Sequence, residues 1–228
     1  MQIQDQLSYI SGYTSKLLRQ KFGRGPQSCQ ATVNQKHLVI YIRGFLSPME
    51  EVLLSQGQND IIDLIRIAII KSVLEELKGV IQVTIQTEVC DFYHDWNIPN
   101  NSGILMFVLN NPIIQDNEHI QLDTNEFEAE ISRLSALVQK VPDEIILYPL
   151  SRQILLVERK GILVPIEKAL ISKGFDEELR VVKDELEKKY FHRNGKFDEL
   201  LKQRVVDIFI DWNLKDDKSL MSFIIHNR

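Results

Sequence analysis

Three groups of residues have types and spacings that could do chemistry. The first is Gly23-Arg24-Gly25-Pro26, preceded by Lys21. Glycines on both sides of Arg24 can turn successive backbone N–H groups toward one point, so the loop could cradle a phosphate or carboxylate, with Lys21, Arg24 and Arg43 supplying charge. The competing reading is a helix C-cap. Gly23 or Gly25 would take the left-handed conformation, Pro26 would stop the helix, and Lys21 and Arg24 would sit at its negative end. The cap reading weighs more, because Gly-Pro follows helices for that reason alone and the loop lacks the strand-to-helix setting of a P-loop.

The second group is His94-Asp95, which has the residue types of a general-base pair. Asp95-Trp96-Asn97 recurs without the histidine as Asp211-Trp212-Asn213, so a turn shaped by the Asp and Asn side chains outweighs catalysis. Glu50 and Glu167 each follow a proline by two positions, and a proline-started helix with an acid in its first turn accounts for both. The third group, Cys29, His37, Cys90 and His94, matches no zinc-ligand spacing. Cys29 and Cys90 read as buried free thiols on strands. No metal and no cofactor is expected, and no residue is assigned as catalytic.

The residues around these groups are written twice. Gly44-Phe45-Leu46-Ser47-Pro48-Met49-Glu50, followed by Gly57, returns 117 positions later as Gly161-Ile162-Leu163-Val164-Pro165-Ile166-Glu167, followed by Gly174. The Asp-Trp-Asn motifs are 116 apart and hold the only two tryptophans. Such matched motifs indicate a duplicated domain. The boundaries are placed at 1–114 and 115–228, with the junction in the polar stretch from Asn111 to Asp123. Each half is large enough for its own core.

Charge argues against nucleic acid as a partner: there are 9 basic and 10 acidic residues through Pro112, then 18 and 22. Apolar runs such as Ile61 to Ile70 are interrupted by Asp63 and Arg66 and fall short of the roughly 18 residues a membrane span needs, so no direct membrane insertion is expected. Two isolated cysteines and no export signature at Met1 to Asp5 predict a soluble, cytoplasmic protein.

The elements that must position these residues are legible in parallel. Ile3, Leu7, Ile10 and Leu17 mark an opening helix in the first copy; Phe127, Ile131, Leu134, Val138 and Val141 mark its counterpart, with Asp123 and Glu126 in a capping arrangement. Hairpins follow, Cys29–Val33 with Leu38–Arg43 and Ile145–Tyr148 with Ile154–Arg159. Main helices come next, with buried stripes expected at Ile61, Ile65, Ala68 and Ile69 and at Phe175, Leu179, Val182 and Leu186. Val80 to Val89 alternates like a strand, but the repeat places it opposite Phe197 to Lys202, which reads as a helix. The repeat is given more weight, so a second short helix is expected there, with strands beginning near Val89 and Val205. Final strands run from Ile104 to Leu109 and from Leu220 to Ile225. The fold class is α+β: two similar two-layer domains, each helix-strand-strand-helix(-helix)-strand-strand, with an antiparallel sheet.

Phe22-Gly23-Arg24-Gly25-Pro26 after an amphipathic helix, Leu38 to Ile42, the Gly44-x-Leu46-x-Pro48-x-Glu50 block and His94-Asp95 together resemble the MpsC-like family. The resemblance covers nearly all of the first copy and, more weakly, the second. That family is a domain of unknown function linked by name to a sodium-translocating, membrane-potential-generating system of bacteria. Related systems are tied to inorganic carbon uptake through separate subunits. The second copy departs from the pattern, with Gln139-Lys140-Val141-Pro142 in place of the glycine loop and Ile210-Asp211 in place of His94-Asp95. The resemblance implies a non-catalytic accessory or regulatory component with a membrane transport subunit as partner. Two fused copies would stand in for a homodimer of single-domain relatives, and the apolar helix from Ile61 to Leu77 suggests further homo-oligomers. The alternative is a small-anion or nucleotide sensor using Lys21, Gly23, Arg24, Gly25 and Arg43.

Overall fold

The computed structural model describes residues 2–115 and 120–226. The chain divides into two compact units, Met1–Gln115 and Asp116–Arg228. The first contains α1 (Ile3–Phe22), β1 (Ser28–Arg43), α2 (Pro48–Ser55), α3 (Asn59–Ile85), β2 (Val89–Asn97) and β3 (Ser102–Ile113). The second contains α4 (Thr124–Val138), β4 (Glu144–Pro149), β5 (Ile154–Lys160), α5 (Pro165–Ser172), α6 (Asp176–Asn194), α7 (Phe197–Leu201), β6 (Val205–Asn213) and β7 (Lys218–Ile225). Both sheets are antiparallel, ordered β1-β3-β2 and β4-β5-β7-β6.

The two sheets are closer in topology than their strand counts imply. The Gln27 N–H donates to the carbonyls of Arg43 at 2.9 Å and Gly44 at 3.2 Å. A straight strand of 16 residues would hold those ends roughly 50 Å apart. β1 therefore doubles back on itself, about Gln35 with its positive φ of 51°. The equivalent bond in the second unit, Asp143 N–H to the Lys160 carbonyl at 2.9 Å, closes the β4–β5 hairpin. Each unit thus has four extended segments, the hairpin pairs expected from sequence.

Each core lies between the sheet and its helices. Leu7, Ile10, Leu17 and Leu18 of α1 and Ile70, Leu74, Leu77 and Ile81 of α3 meet Leu38, Ile40, Ile42, Leu105 and Phe107. In the second unit Phe127, Ile131 and Leu134 of α4, Phe191 of α6 and Phe197 of α7 meet Leu155, Val157, Ile210, Met221 and Phe223. Among the described residues no helix is long and apolar enough to cross a membrane.

Several expectations need correcting. Val80 to Ile85 is helical, but it continues α3 without a break instead of forming a second short helix, and Gln86 caps it in the left-handed conformation at φ 59°. Only the second unit breaks, at Gly195 before α7. Val141 lies beyond α4 and is exposed. Cys29 is half-buried, whereas Cys90 is exposed. Val89 pairs with Leu109 and Asp91 with Val108, so Cys90 is the extra residue of a bulge, which turns it out of the strand alternation. The second unit repeats the bulge between Val205 and Asp207, at Val206.

The largest correction concerns the long helices. α3 buries Ile62, Arg66, Ile70, Val73, Leu74, Leu77 and Ile81. Ile61 and Ala68 face outward, with Ile65 and Ile69 half-buried. α6 buries Lys183, Glu187 and Phe191, while Phe175, Val182 and Leu186 are exposed and Leu179 is half-buried. Reading apolar residues as inward fails here because the inward face carries paired charges.

Candidate functional site

The Gly23 loop is built from the end of α1. Gly23 takes the left-handed conformation, φ 77°, and its N–H bonds the Arg19 carbonyl at 3.0 Å, so it is the helix cap. Gly25 lies beside the Arg19 side chain, whose Nε would be 2.9 Å from an added Cβ. Arg24 Nη1 donates to the Leu46 carbonyl at 3.0 Å and to Glu51 at 2.9 Å, which ties the loop to the start of α2. Lys21 Nζ turns to Ser72 of α3, 3.1 Å away. Arg43 is exposed at the end of β1. The loop and the Gly44–Glu50 block, remote in sequence, therefore meet through Arg24.

His94 and Asp95 are consecutive residues of β2, where successive side chains point to opposite faces. The Asp95 carboxylate accepts from the Trp96 N–H at 2.6 Å, and Asp211 accepts from the Trp212 N–H at 2.7 Å. Both aspartates act within strands, so the expected turn is shaped by the asparagines instead: Asn97 accepts from the Asn100 N–H at 3.3 Å and Asn213 from the Asp216 N–H at 3.1 Å. Burial pushes the Cys29 thiol up to about 12 and lowers His37 to about 4. Among the described residues, no group of three or more His, Cys, Asp or Glu side chains is placed to hold a metal ion.

Sequence reasoning missed the charged centre of each unit. Pro48 starts α2, Ser47 caps it, and the Glu50 carboxylate reaches back to the Ser47 N–H at 2.7 Å, completing a capping box. The same carboxylate binds Arg66 of α3 through two bonds of 2.7 and 3.2 Å. Arg66 also donates to the Phe45 carbonyl at 2.6 Å and lies 4.4 Å from the Trp96 ring centroid. Burial opposes ionisation of Glu50, but the hydrogen bonds and charge of Arg66, with those of Ser47, hold its carboxyl below the usual range.

The second unit repeats this centre at an offset of 117. Glu167 accepts from the Val164 N–H at 2.8 Å and pairs with Lys183 at 3.0 Å, and Lys183 lies 5.8 Å from the Trp212 ring centroid. Valine at the cap position has no acceptor, so only the glutamate half of the box remains. Lys183 also bonds Gln139 of the loop after α4. The readable signal was the pairing of retained acids, Glu50 and Glu167, with retained cations, Arg66 and Lys183, at one repeat distance.

The second unit then adds a network that the first lacks. Arg159 and Glu187 are both fully buried and 2.6 Å apart. Arg159 also donates to Ser219 at 2.8 Å and Ser135 at 3.2 Å, while Glu187 accepts from Trp212 Nε1 at 3.0 Å and pairs with Lys183 at 3.3 Å. Burial opposes the Glu187 charge, yet Arg159 and Lys183 keep its carboxyl below the usual range. The repeat-equivalent positions in the first unit are Leu18, Ile42, Ile70 and Gly103, all buried. Where the first unit has buried apolar residues and a glycine, the second has a polar network.

Both centres are closed, paired and directed into the cores, an arrangement suited to holding helices in place. The Gly23 loop, by contrast, presents the Arg24 side chain 42% exposed. No curated protein and no solved structure matches the chain. A family model described as the Na+-translocating membrane potential-generating system (MpsC) matches residues 4–111 and again residues 124–227. The two matches take in both units and both charged centres, so the chain belongs to the MpsC family and carries its domain twice.

Proposed function

We propose that this chain is a non-catalytic accessory or regulatory protein of a bacterial ion or bicarbonate transport system, working in the cytoplasm with a membrane transport subunit as its partner. The observation that carries this reading is the match of both units to a family described by a membrane-potential-generating Na+ system. The site geometry supports it. The buried cations Arg66, Arg159 and Lys183 are engaged by carboxylates within the cores, while Arg24 is presented at the surface of the first unit only. The chain also self-associates in this reading.

Affinity capture of the tagged chain from detergent-solubilised native cells tests the role. A membrane transport subunit is expected in the captured material, and Arg24→Ala is expected to reduce its recovery about tenfold if the loop is the contact, because the substitution removes a charged hydrogen-bonding group worth about 1.5–3 kcal/mol. Recovery of the chain alone would count against the reading.

A second reading, an anion or nucleotide sensor using Lys21, Gly23, Arg24, Gly25 and Arg43, is favoured by one observation: the side chains of Lys21, Arg24 and Arg43 are all exposed. Under it, inorganic phosphate or a nucleotide raises the melting temperature of the wild type, and Arg24→Ala abolishes the rise. Absence of any shift at concentrations well above physiological ones would remove this reading and leave the accessory role standing.

A further inference from the structure

We propose that the outward face of α6 is a twofold self-association surface that takes α6 of a second copy of this chain, antiparallel. The inference deepens the self-association part of the reading above and is independent of the transport role. α6 is turned the opposite way from what its hydropathy predicts. Its inward side carries Lys183, Glu187 and Phe191, one helical turn apart. Its outward side carries Val182 and Leu186, 58% and 38% exposed, in line with the capping Phe175, 47% exposed, while Val181, 48% exposed, lies on the other flank. Ile166 and Leu170 of the preceding helix α5 add to the apolar surface. A contiguous apolar surface of this kind on a charged helix marks an interaction site.

The charges on that face select the occupant. Glu177 and Glu178 lie in the N-terminal half and Lys189 and Arg193 in the C-terminal half, all exposed, with Glu185 at the middle. A second α6 laid antiparallel, with the twofold axis between Lys183 and Asp184, brings Glu178 opposite Lys189 of the second copy and sets the Val182–Leu186 flank against the same flank of its copy. Because the contact is isologous, each pairing occurs twice. A parallel arrangement would set Glu178 against Glu178 and Lys189 against Lys189, so complementarity fixes the direction. α3 exposes Leu64 at the position of Val181, but Ile61 and Ser72 replace Glu178 and Lys189, so it carries no such code. The self-matching pattern is confined to α6.

Sedimentation equilibrium of the full chain at low salt, into the hundreds of micromolar, tests the proposal. The wild type is expected to dimerise. Glu178→Lys and Lys189→Glu are each expected to weaken the dimer roughly tenfold or more, since each sets like charges opposite at two places. The double variant Glu178→Lys/Lys189→Glu is expected to recover most of the affinity, a rescue that a merely structural role would not give. Val182→Glu, at the centre, is expected to abolish association with an unchanged far-UV circular dichroism spectrum. A wild type that stays monomeric overturns the proposal, as does a dimer indifferent to Val182→Glu or a double variant as weak as the singles. A monomer that instead captures another protein through Val182 overturns the second-copy assignment. None of these outcomes bears on recovery of a transport subunit.

Discussion

Glu187→Ile alone is expected to destabilise the second unit by about 3–5 kcal/mol, because it strands the fully buried Arg159 guanidinium without its carboxylate and removes the acceptor of Trp212 Nε1. The combined change Ser135→Leu, Arg159→Ile, Glu187→Ile and Ser219→Gly installs the residues of the first unit at the equivalent positions. It is expected to be close to neutral. Replacing a whole buried ion pair with packed apolar side chains removes the desolvation cost along with the attraction, a gain of about 1–4 kcal/mol set against the acceptor that Trp212 Nε1 still loses. Denaturant unfolding of the single and combined variants checks both. The informative quantity is the departure from additivity, several kcal/mol in this case, which a set of independent sites would not show. A combined variant as unstable as Glu187→Ile would mean that the apolar set does not fit the second framework.

Acid is expected to cost both units stability, the second through His192, which burial holds below its usual range, and the first through a more strongly shifted histidine. His37 is buried in the first unit, and burial, aided by the charge of Lys36, lowers it from 6.5 to about 4. As pH falls below 6.5 the unfolded chain takes up a proton that the folded unit refuses. Stability present above pH 6.5 is therefore lost as the pH approaches 4, by about 3 kcal/mol at about 1.4 kcal/mol per pH unit. Glu50 and Glu187, both held below the usual range, add losses only at lower pH, as each protonates. The second unit has Ile154 at the position of His37. With Trp212→Phe in place, Trp96 is the sole tryptophan and reports the first unit. Its denaturant midpoint should fall between pH 6.5 and 4, and His37→Ile should flatten that fall. An unchanged slope in His37→Ile would show that another group carries the proton uptake.

The repeat made much of this architecture legible. Prolines and glycines 117 positions apart and tryptophans 116 apart set the two copies in register and marked the helix starts at Pro48 and Pro165, because these residues mark backbone geometry directly. The split of each expected main helix into a short helix and a long one was not read. The repeat also judged Val80 to Ile85 correctly as helix against a clean alternation. The inward faces of α3 and α6 were not legible from hydropathy. Arg66, Lys183 and Glu187 point into the cores because Glu50, Glu167 and Arg159, distant in sequence, are there to meet them, and a periodicity count sees charge without its partner. Cys90 was misplaced for a similar reason: the bulge that turns it outward is a property of the pairing with β3 and leaves no mark in the strand itself.

The capping glutamates have one more consequence. Glu50 closes the first turn of α2 and holds Arg66 of α3 with the same carboxylate, and Glu167 does the same between α5 and Lys183. Helices of eight residues fray readily when isolated, exchanging their amide hydrogens on a fast local clock. Here the opening of that turn would uncover a buried cation on the neighbouring helix. The amides of the first turn after each cap should therefore exchange in step with the long helix, so that each short helix and its long neighbour open as a single cooperative unit.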